Sequence, residues 1–197
     1  LIVNCTYQLK NKFLIIKYEY KSNKKTHVNL TNHSYWNLEK IKKNMIYNHE
    51  LKLNSNKYLQ IDKDLIPTGK TKRVKNSIYD FLKFQNLGKK LNFFKNKKID
   101  LKHKGFDTTY IVKKNSRNFV GSLKNKNSNI QVNFFSNLPG VQLYSAQNLN
   151  YKKKLFPYHG ICLETQYFPD TPNKKNFPST LIKANKRYTC FTKIKIY

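Results

Sequence analysis

The sequence predicts an all-β fold of the sandwich type, and three observations lead to this prediction. Apolar and polar residues alternate in several short runs, which is the period of half-buried strands. Residues that favour turns separate these runs. Helical spacing is found in one short stretch, around residues 77–84, where Ile78, Phe81 and Leu82 recur. Many short strands joined by turns are typical of a sandwich.

The alternating runs lie along the whole chain, and the first follows a predicted turn at residues 10–12. Further turns are predicted at residues 67–69 and 138–140, and in the proline-rich stretch 169–178. The following residues are expected to share strand faces: Leu14, Ile16, Tyr18 and Tyr20; His49, Leu51 and Leu53; Ile130, Val132 and Phe134; Tyr188, Cys190, Thr192, Ile194 and Ile196.

The length of 197 residues predicts a single domain over residues 1–197. Because the chain starts at Leu1 and enters a strand pattern at once, we expect an N-terminally truncated chain, the C-terminal part of a longer domain. The longest apolar run near the start, residues 13–16, is far shorter than the ~20 residues of a membrane span.

The formal net charge of +29 makes nucleic acid the first partner to consider. Arginine, whose planar fork suits phosphates and base edges, occurs only at Arg73, Arg117 and Arg187. The lysines are scattered along the chain, so we interpret the charge as a solvated surface. A nucleic-acid-binding β-domain would instead interleave basic and aromatic residues along one face.

The three cysteines, Cys5, Cys162 and Cys190, lie far apart and lack the paired spacing of a zinc or redox motif. They are interpreted as small hydrophobic residues in a reducing compartment, which predicts a cytoplasmic location.

Two of the ten carboxylates stand out from the rest. Most acidic residues neighbour a lysine, as surface charges do. Asp107, in GFDTTY, and Glu164, in GICLETQ, instead have apolar or hydroxyl-bearing neighbours. In a strand, Cys162 and Glu164 would face one side while Ile161 and Leu163 anchor the core. By pattern alone, a functional acid and a satisfied structural acid fit both positions equally well.

Among the five histidines, His33 lies in the most unusual surroundings. The run NLTNHSYWNL at residues 29–38 is dense in hydrogen-bonding and aromatic side chains, a composition typical of a sugar cleft. The residues alone still favour a structural histidine slightly. His159 precedes the Glu164 strand, and its position favours a loop cap over the cleft lining.

Five segments, in chain order, resemble segments of the aldose 1-epimerase (mutarotase) family. Residues 29–38 differ from the family's usual NLTNHSYFNL only at Trp36, and residues 160–178 resemble its downstream signature LETQ-x-x-PD-x-x-N…FP. The three segments between them are LIPTG at 65–69, GFD at 105–107 and PGVQLY at 139–144. Five ordered matches over nearly the whole chain are highly specific.

The resemblance implies a large antiparallel β-sandwich of the galactose-mutarotase type. It also implies an isomerase that interconverts the α and β anomers of free hexoses such as glucose and galactose, without a cofactor or metal. By this resemblance, Glu164 matches the position of the family's general base and His33 that of its general acid. The two groups are expected to lie on opposite sides of the bound sugar. Asp107 and Gln142 resemble the groups that hold sugar hydroxyls. The implied partner is a hexose, with neither nucleic acid nor membrane, and the implied state is a monomer or weak dimer.

The chain departs from the family pattern in several places. Thr108 stands where the family usually has histidine, and residues 145–149 lack a common glycine-asparagine pair. Family members also carry an N-terminal segment that supplies an arginine and another histidine to the pocket. Two alternatives therefore stay open besides the free-sugar epimerase: a relative acting on hexose 6-phosphates, and a sugar-binding remnant without catalysis.

Overall fold

The computed structural model describes residues 1–41, 45–95, 103–152 and 154–197, and it has two antiparallel sheets packed face to face. The predicted all-β sandwich is therefore confirmed. Two contacts illustrate how the sheets meet. The Trp36 ring lies edge-on to Phe134 with ring centroids 5.6 Å apart, and the hydroxyls of Thr165 and Thr192 are hydrogen-bonded.

The spatial order of the strands in each sheet differs from their order along the chain. From edge to edge, the seven-stranded sheet consists of β1 (Ile2–Lys10), β2 (Phe13–Lys21), β15 (Arg187–Ile196), β11 (Ile130–Ser136), β10 (Phe119–Asn125), β5 (His49–Leu53) and β8 (Gln85–Asn86). The six-stranded sheet consists of β4 (Tyr35–Trp36), β13 (Ile161–Gln166), β12 (Gly140–Tyr144), β9 (Asp107–Ile111), β6 (Lys57–Ile61) and β7 (Pro67–Arg73). A small separate pair consists of β14 (Leu181–Ile182) and β3 (Thr26–His27).

The alternation predicted from the sequence is found on the inner face of the seven-stranded sheet. In β5 the residues alternate strictly between buried and half-buried, beginning with buried His49. Ile130 and Ile196 are the exceptions, since both are exposed at strand ends. The buried residues of the other predicted runs are Ile16, Tyr18, Tyr20, Val132, Phe134, Cys190, Thr192 and Ile194. Burying these side chains between the two sheets is the main stabilising contribution to the fold.

The helix predicted over residues 77–84 is absent, and this prediction was wrong. Side chains there bind backbone amides in turns: Ser77 Oγ accepts a 3.1 Å hydrogen bond from the Tyr79 amide, and Asp80 accepts one of 3.0 Å from the Leu82 amide. Short polar side chains that bind nearby backbone compete with helix formation. The α-helix found in the described part of the chain is α1 (Leu87–Lys95).

The turn predicted at residues 67–69 was also misplaced. Pro67 begins β7, and the chain reverses just before it. There the Asp62 carboxylate accepts hydrogen bonds from the amides of Asp64, at 2.9 Å, and Ile66, at 3.0 Å. The turn at residues 138–140 is confirmed, since it immediately precedes β12.

In the described ranges, none of the helices has the length and apolar character that a bilayer-crossing helix needs. The three cysteines are free thiols; Cys5 is exposed, whereas Cys162 and Cys190 are buried.

Candidate active site

Three of the four predicted site residues, Asp107, Gln142 and Glu164, lie on neighbouring strands of the six-stranded sheet. Glu164 in β13 pairs with Gln142 in β12, and Gln142 pairs in turn with Thr109 in β9. Tyr144 in the same sheet pairs with Asp107. Because directly paired residues of antiparallel strands point to the same face, these side chains project together from the face opposite the core.

His33 reaches this face from the loop that precedes β4. Its Nε2 atom lies 3.6 Å from Glu164 Oε1, with the His33 side chain half exposed and the Glu164 side chain almost buried. The two side chains lie side by side on the same face of the sheet, with no room for a ring between these two atoms as they stand. Their placement about a bound sugar stays a prediction.

The loop that carries His33 is tied to β13 by its own polar side chains. The Asn29 side-chain amide donates to the carbonyl of Tyr167 at 3.1 Å and accepts from the Tyr167 amide at 2.9 Å. Thr31 Oγ1 donates to the carbonyl of Thr165 at 3.1 Å, and Asn37 Nδ2 donates to the carbonyl of His159 at 2.9 Å. The polar residues of this motif therefore hold the loop in place, where the sequence interpretation assigned them to the cleft lining.

Two tyrosines that the sequence interpretation did not assign to the site enclose His33. The Tyr35 ring stacks on the imidazole with centroids 5.0 Å apart and an interplanar angle of 21°. The Tyr144 ring lies edge-on to the imidazole at 6.2 Å. Both tyrosines are within matched motifs, but their contact with His33 depends on the pairing of β4, β13 and β12. That pairing has no signature in the sequence.

Asp107 and Gln142 form a second polar pair beside the acid–base pair. Gln142 Nε2 donates a 2.6 Å hydrogen bond to Asp107 Oδ1, and Thr109 Oγ1 donates to Gln142 Oε1. Asp107 also lines a neighbouring cavity of about 410 Å³, whose walls include Tyr79, Phe94 and Thr108. Asp107 thus belongs both to the polar pair and to the wall of this cavity.

The electrostatic environment raises the pKa of both carboxyl groups. Burial is the main reason that the pKa of Glu164 lies above its ordinary value of 4.5; the charge of Asp107 raises it further, and His33 opposes the rise. Burial likewise raises the pKa of Asp107, against the hydrogen bond from Gln142 and the charge of His33. A glutamate whose pKa is raised toward neutrality is a better proton acceptor than an ordinary surface glutamate.

His159 belongs to the loop that leads into β13. Its Nδ1 atom is buried without a hydrogen-bond partner, and its ring lies edge-on to Phe156 at 5.4 Å. Its carbonyl accepts the bond from Asn37, so the backbone of His159 helps to hold the motif loop. The loop position favoured from the sequence agrees with this arrangement.

The family model for aldose 1-epimerase matches residues 1–195. The chain belongs to the aldose 1-epimerase family. It is 34% identical to a galactose mutarotase from Pongo abelii over 190 residues, covering 93% of this chain and 54% of that protein. It is 30% identical to an aldose 1-epimerase from Haemophilus influenzae, covering 98% of this chain and 58% of that protein.

Solved structures support the same fold. An aldose epimerase homologue from C. elegans superposes with a TM-score of 0.87 at 20% identity, covering 99% of this chain and 59% of the other. A galactose 1-epimerase from Lactobacillus acidophilus superposes with a TM-score of 0.83 at 22% identity, covering 99% and 56%. The chain thus spans little more than half of the length of the relatives it matches.

Proposed function

We propose that the protein is an aldose 1-epimerase that interconverts the α and β anomers of free hexoses. The observation that carries this proposal is the 3.6 Å approach of His33 Nε2 to Glu164 Oε1, with the His33 side chain half exposed. Ring opening of a hemiacetal needs one proton removed and one proton delivered at adjacent oxygens. The anomeric hydroxyl and the ring oxygen are both bonded to C1, so a side-by-side acid and base match them.

In the proposed reaction, Glu164 accepts the proton of the anomeric hydroxyl while protonated His33 donates a proton to the ring oxygen. The bond between C1 and the ring oxygen breaks, and the electron pair of the anomeric oxygen forms the carbonyl of the open aldehyde. Rotation about C1–C2 exposes the other carbonyl face, and closure returns both protons. No proton is gained or lost over the cycle, so the two residues regain their initial states.

We assign substrate binding to Asp107 and Gln142. Support comes from the 2.6 Å hydrogen bond between them, which fixes the orientation of both side chains beside the acid–base pair. A carboxylate and an amide oriented in this way offer acceptors and a donor to sugar hydroxyls. Tyr35 and Tyr144 add apolar ring surface around His33, which suits the carbon face of a sugar.

Polarimetry of freshly dissolved α-D-glucose and α-D-galactose with the full-length protein tests the proposal. We expect faster mutarotation than in buffer, and a loss of about 10²–10⁴-fold in kcat for Glu164→Gln and for His33→Asn. Glu19→Gln is the matched control, because Glu19 is an exposed acid paired with Lys17 on β2, in the sheet that does not carry Glu164. If the folded protein binds hexose without accelerating mutarotation, the sugar-binding remnant replaces this proposal.

We also propose that residues 1–197 are the C-terminal part of a single longer domain, present in the cytoplasm as a monomer or weak dimer. Support for the longer domain comes from β1, which is exposed over its whole length and carries four exposed apolar side chains, Ile2, Val3, Tyr7 and Leu9. Limited proteolysis of the full-length protein tests whether it is a single domain. Light scattering measures its mass and so tests the oligomeric state. A stable fragment beginning near Leu1 would contradict the single domain.

A further inference from the structure

Three side chains of the kind that bind transition metals converge at the cleft. His33 comes from the loop before β4, and Cys162 and Glu164 are alternate residues of β13. The His33 ring nitrogen, the Cys162 sulfur and a Glu164 oxygen all lie within 4.8 Å of one another. The spacing of the cysteines along the chain does not predict this group, because two of its three members are not cysteines.

We propose that His33, Cys162 and Glu164 form a binding site for a thiophilic divalent cation, with Zn²⁺ as the best match, that inhibits the enzyme. The inhibitory part of this inference rests on the proposed function, whereas the binding part does not.

The distances fit a zinc ion with a small adjustment. Three atoms no more than 4.8 Å apart have a common point within about 2.8 Å of each. Zinc binds nitrogen and oxygen at about 2.0–2.2 Å and sulfur at about 2.3 Å, so each ligand moves inward by roughly 0.5–0.8 Å. His33 is half exposed and lies in a loop, so its side chain has room to make this movement.

The chemistry of the three ligands selects for the metal. A thiolate, an imidazole and a carboxylate suit Zn²⁺, whereas Mg²⁺ and Ca²⁺ require oxygen ligands. The charges of one thiolate and one carboxylate cancel that of a divalent cation, which favours binding at buried side chains. Cys162 and Glu164 are both buried, with 0% and 7% of their surfaces exposed.

Binding requires the thiol of Cys162 to lose its proton. Burial raises the pKa of this thiol, and the charges of Glu164 and Asp107 raise it further. The metal must therefore displace the thiol proton when it binds.

The consequence for catalysis follows from which atoms the metal occupies. Coordination uses the Glu164 oxygen and the His33 nitrogen that face each other at 3.6 Å. A glutamate and a histidine bound to zinc can neither accept nor donate the protons that ring opening needs. The cation is therefore expected to stop mutarotation without unfolding the protein.

The first experiment measures binding directly with Co²⁺ as a spectroscopic substitute for Zn²⁺. We expect one Co²⁺ per chain, with a thiolate-to-cobalt absorption band and the intense visible bands of tetrahedral cobalt, both removed by added Zn²⁺. All variants carry Cys5→Ser, because Cys5 is the exposed thiol. Cys162→Ser is expected to lose the thiolate band, while Cys190→Ser, the matched change at the other buried cysteine, is expected to keep it.

His33→Ala provides a second variant, since His33 is half exposed and its removal leaves the core intact. We expect it to weaken Co²⁺ binding at least tenfold while circular dichroism stays unchanged. Failure of the parent protein to bind Co²⁺, or a thiolate band that persists in Cys162→Ser, would overturn the site.

Measurements of mutarotase activity with and without Zn²⁺ then test the inhibition and the proposed function independently of each other. We expect micromolar Zn²⁺ to inhibit mutarotation, a chelator to restore it, and Cys162→Ser to need at least tenfold more Zn²⁺ for the same fractional inhibition of its own metal-free rate. Stoichiometric metal binding by a protein without mutarotase activity would refute the proposed function and leave the metal site in place. Mutarotase activity that Zn²⁺ does not reduce would refute the inhibition alone.

Discussion

The side-chain amide of Gln142 is held at both ends, because its Nε2 donates to Asp107 Oδ1 at 2.6 Å and its Oε1 accepts from Thr109 Oγ1. The orientation of the amide is thereby fixed, and Asp107 Oδ1 is occupied. The second carboxylate oxygen of Asp107 is left to accept a hydroxyl. This chain of three residues on β9 and β12 makes the binding side of the cleft rigid before any sugar arrives.

We therefore expect Gln142→Leu to weaken sugar binding more than it slows the reaction. The substitution removes a hydrogen bond to a charged group, which is worth about 1.5–3 kcal/mol, so KM is expected to rise by roughly tenfold or more. Steady-state polarimetry over a range of galactose concentrations measures this. Gln131→Leu is a control at a half-buried glutamine on β11. A fall in kcat at constant KM would contradict a binding role for Gln142.

On the acid side of the pH–rate profile, the loss of activity is expected at a pH above 4.5, the ordinary pKa of a glutamate. Burial and the charge of Asp107 raise the pKa of Glu164, so the base becomes protonated, and the rate falls, at a higher pH than for an exposed glutamate. Asp107→Asn removes the neighbouring negative charge. It is expected to move the acid limb of kcat/KM to lower pH, in addition to raising KM.

The measurement is kcat/KM between about pH 4 and 8 for the parent protein and the variant. An acid limb that stays at the same pH in Asp107→Asn would show that Asp107 does not influence the group being titrated. An upward shift would contradict the assignment of Glu164 as the base, because removing a negative charge lowers the pKa of a nearby carboxyl.

Fold stability is expected to decrease in mild acid because of His49. This histidine is fully buried, its Nε2 accepts a 2.8 Å hydrogen bond from the Leu38 amide, and burial lowers its pKa from 6.5 to about 4. The unfolded chain binds a proton at this residue below about pH 6.5, whereas the folded chain does so only near pH 4. The free energy of unfolding should therefore fall across this window, by roughly 3 kcal/mol in total.

Denaturant unfolding at pH 7.5 and pH 5, followed by the fluorescence of Trp36, measures this loss, since Trp36 is the chain's one tryptophan and packs on Phe134. His49→Gln retains an acceptor for the Leu38 amide but does not titrate. It is expected to lose most of the difference between the two pH values. An equal difference in parent and variant would assign the acid sensitivity to other groups.

Gly105 is expected to tolerate no side chain. A Cβ atom at this position would overlap Ser145 Oγ and lie 2.7 Å from Gln147 Oε1. Ser145 Oγ accepts a 2.8 Å hydrogen bond from the Phe106 amide, so the overlap would displace the start of β9, where Asp107 lies. Gly105→Ala should destabilise the fold by about 1–3 kcal/mol and raise KM. Unchanged thermal stability would contradict this contact.

The strands were predictable because a strand between core and solvent keeps its period of two in the sequence. The run at His49, Leu51 and Leu53 illustrates this, since all three are buried. The error over residues 77–84 arose because helical spacing at Ile78 and Phe81 coincided with side chains that bind the backbone. In α1, Leu87, Leu91 and Phe94 do have helical spacing and are buried. The sequence prediction assigned helical spacing to residues 77–84 alone and missed this second stretch.

Individual residues of the candidate site were predictable where their sequence neighbours are unusual for that residue type. Glu164 and Asp107 were found because few of the ten acids avoid lysine neighbours. Tyr35 and Tyr144 were missed because their contact with His33 depends on cross-strand register, which distant segments determine together. The approach of His33 to Glu164 was not predictable for the same reason, since the two residues are 131 positions apart in the chain.

The two hydrogen bonds between Asn29 and the backbone of Tyr167 have a mechanical consequence. They fasten the loop that carries His33 to the residue directly after β13, so the segments that carry His33 and Glu164 are expected to move together. Under the proposed mechanism, displacement of one sheet relative to the other would then leave the distance between the proton donor and the proton acceptor unchanged.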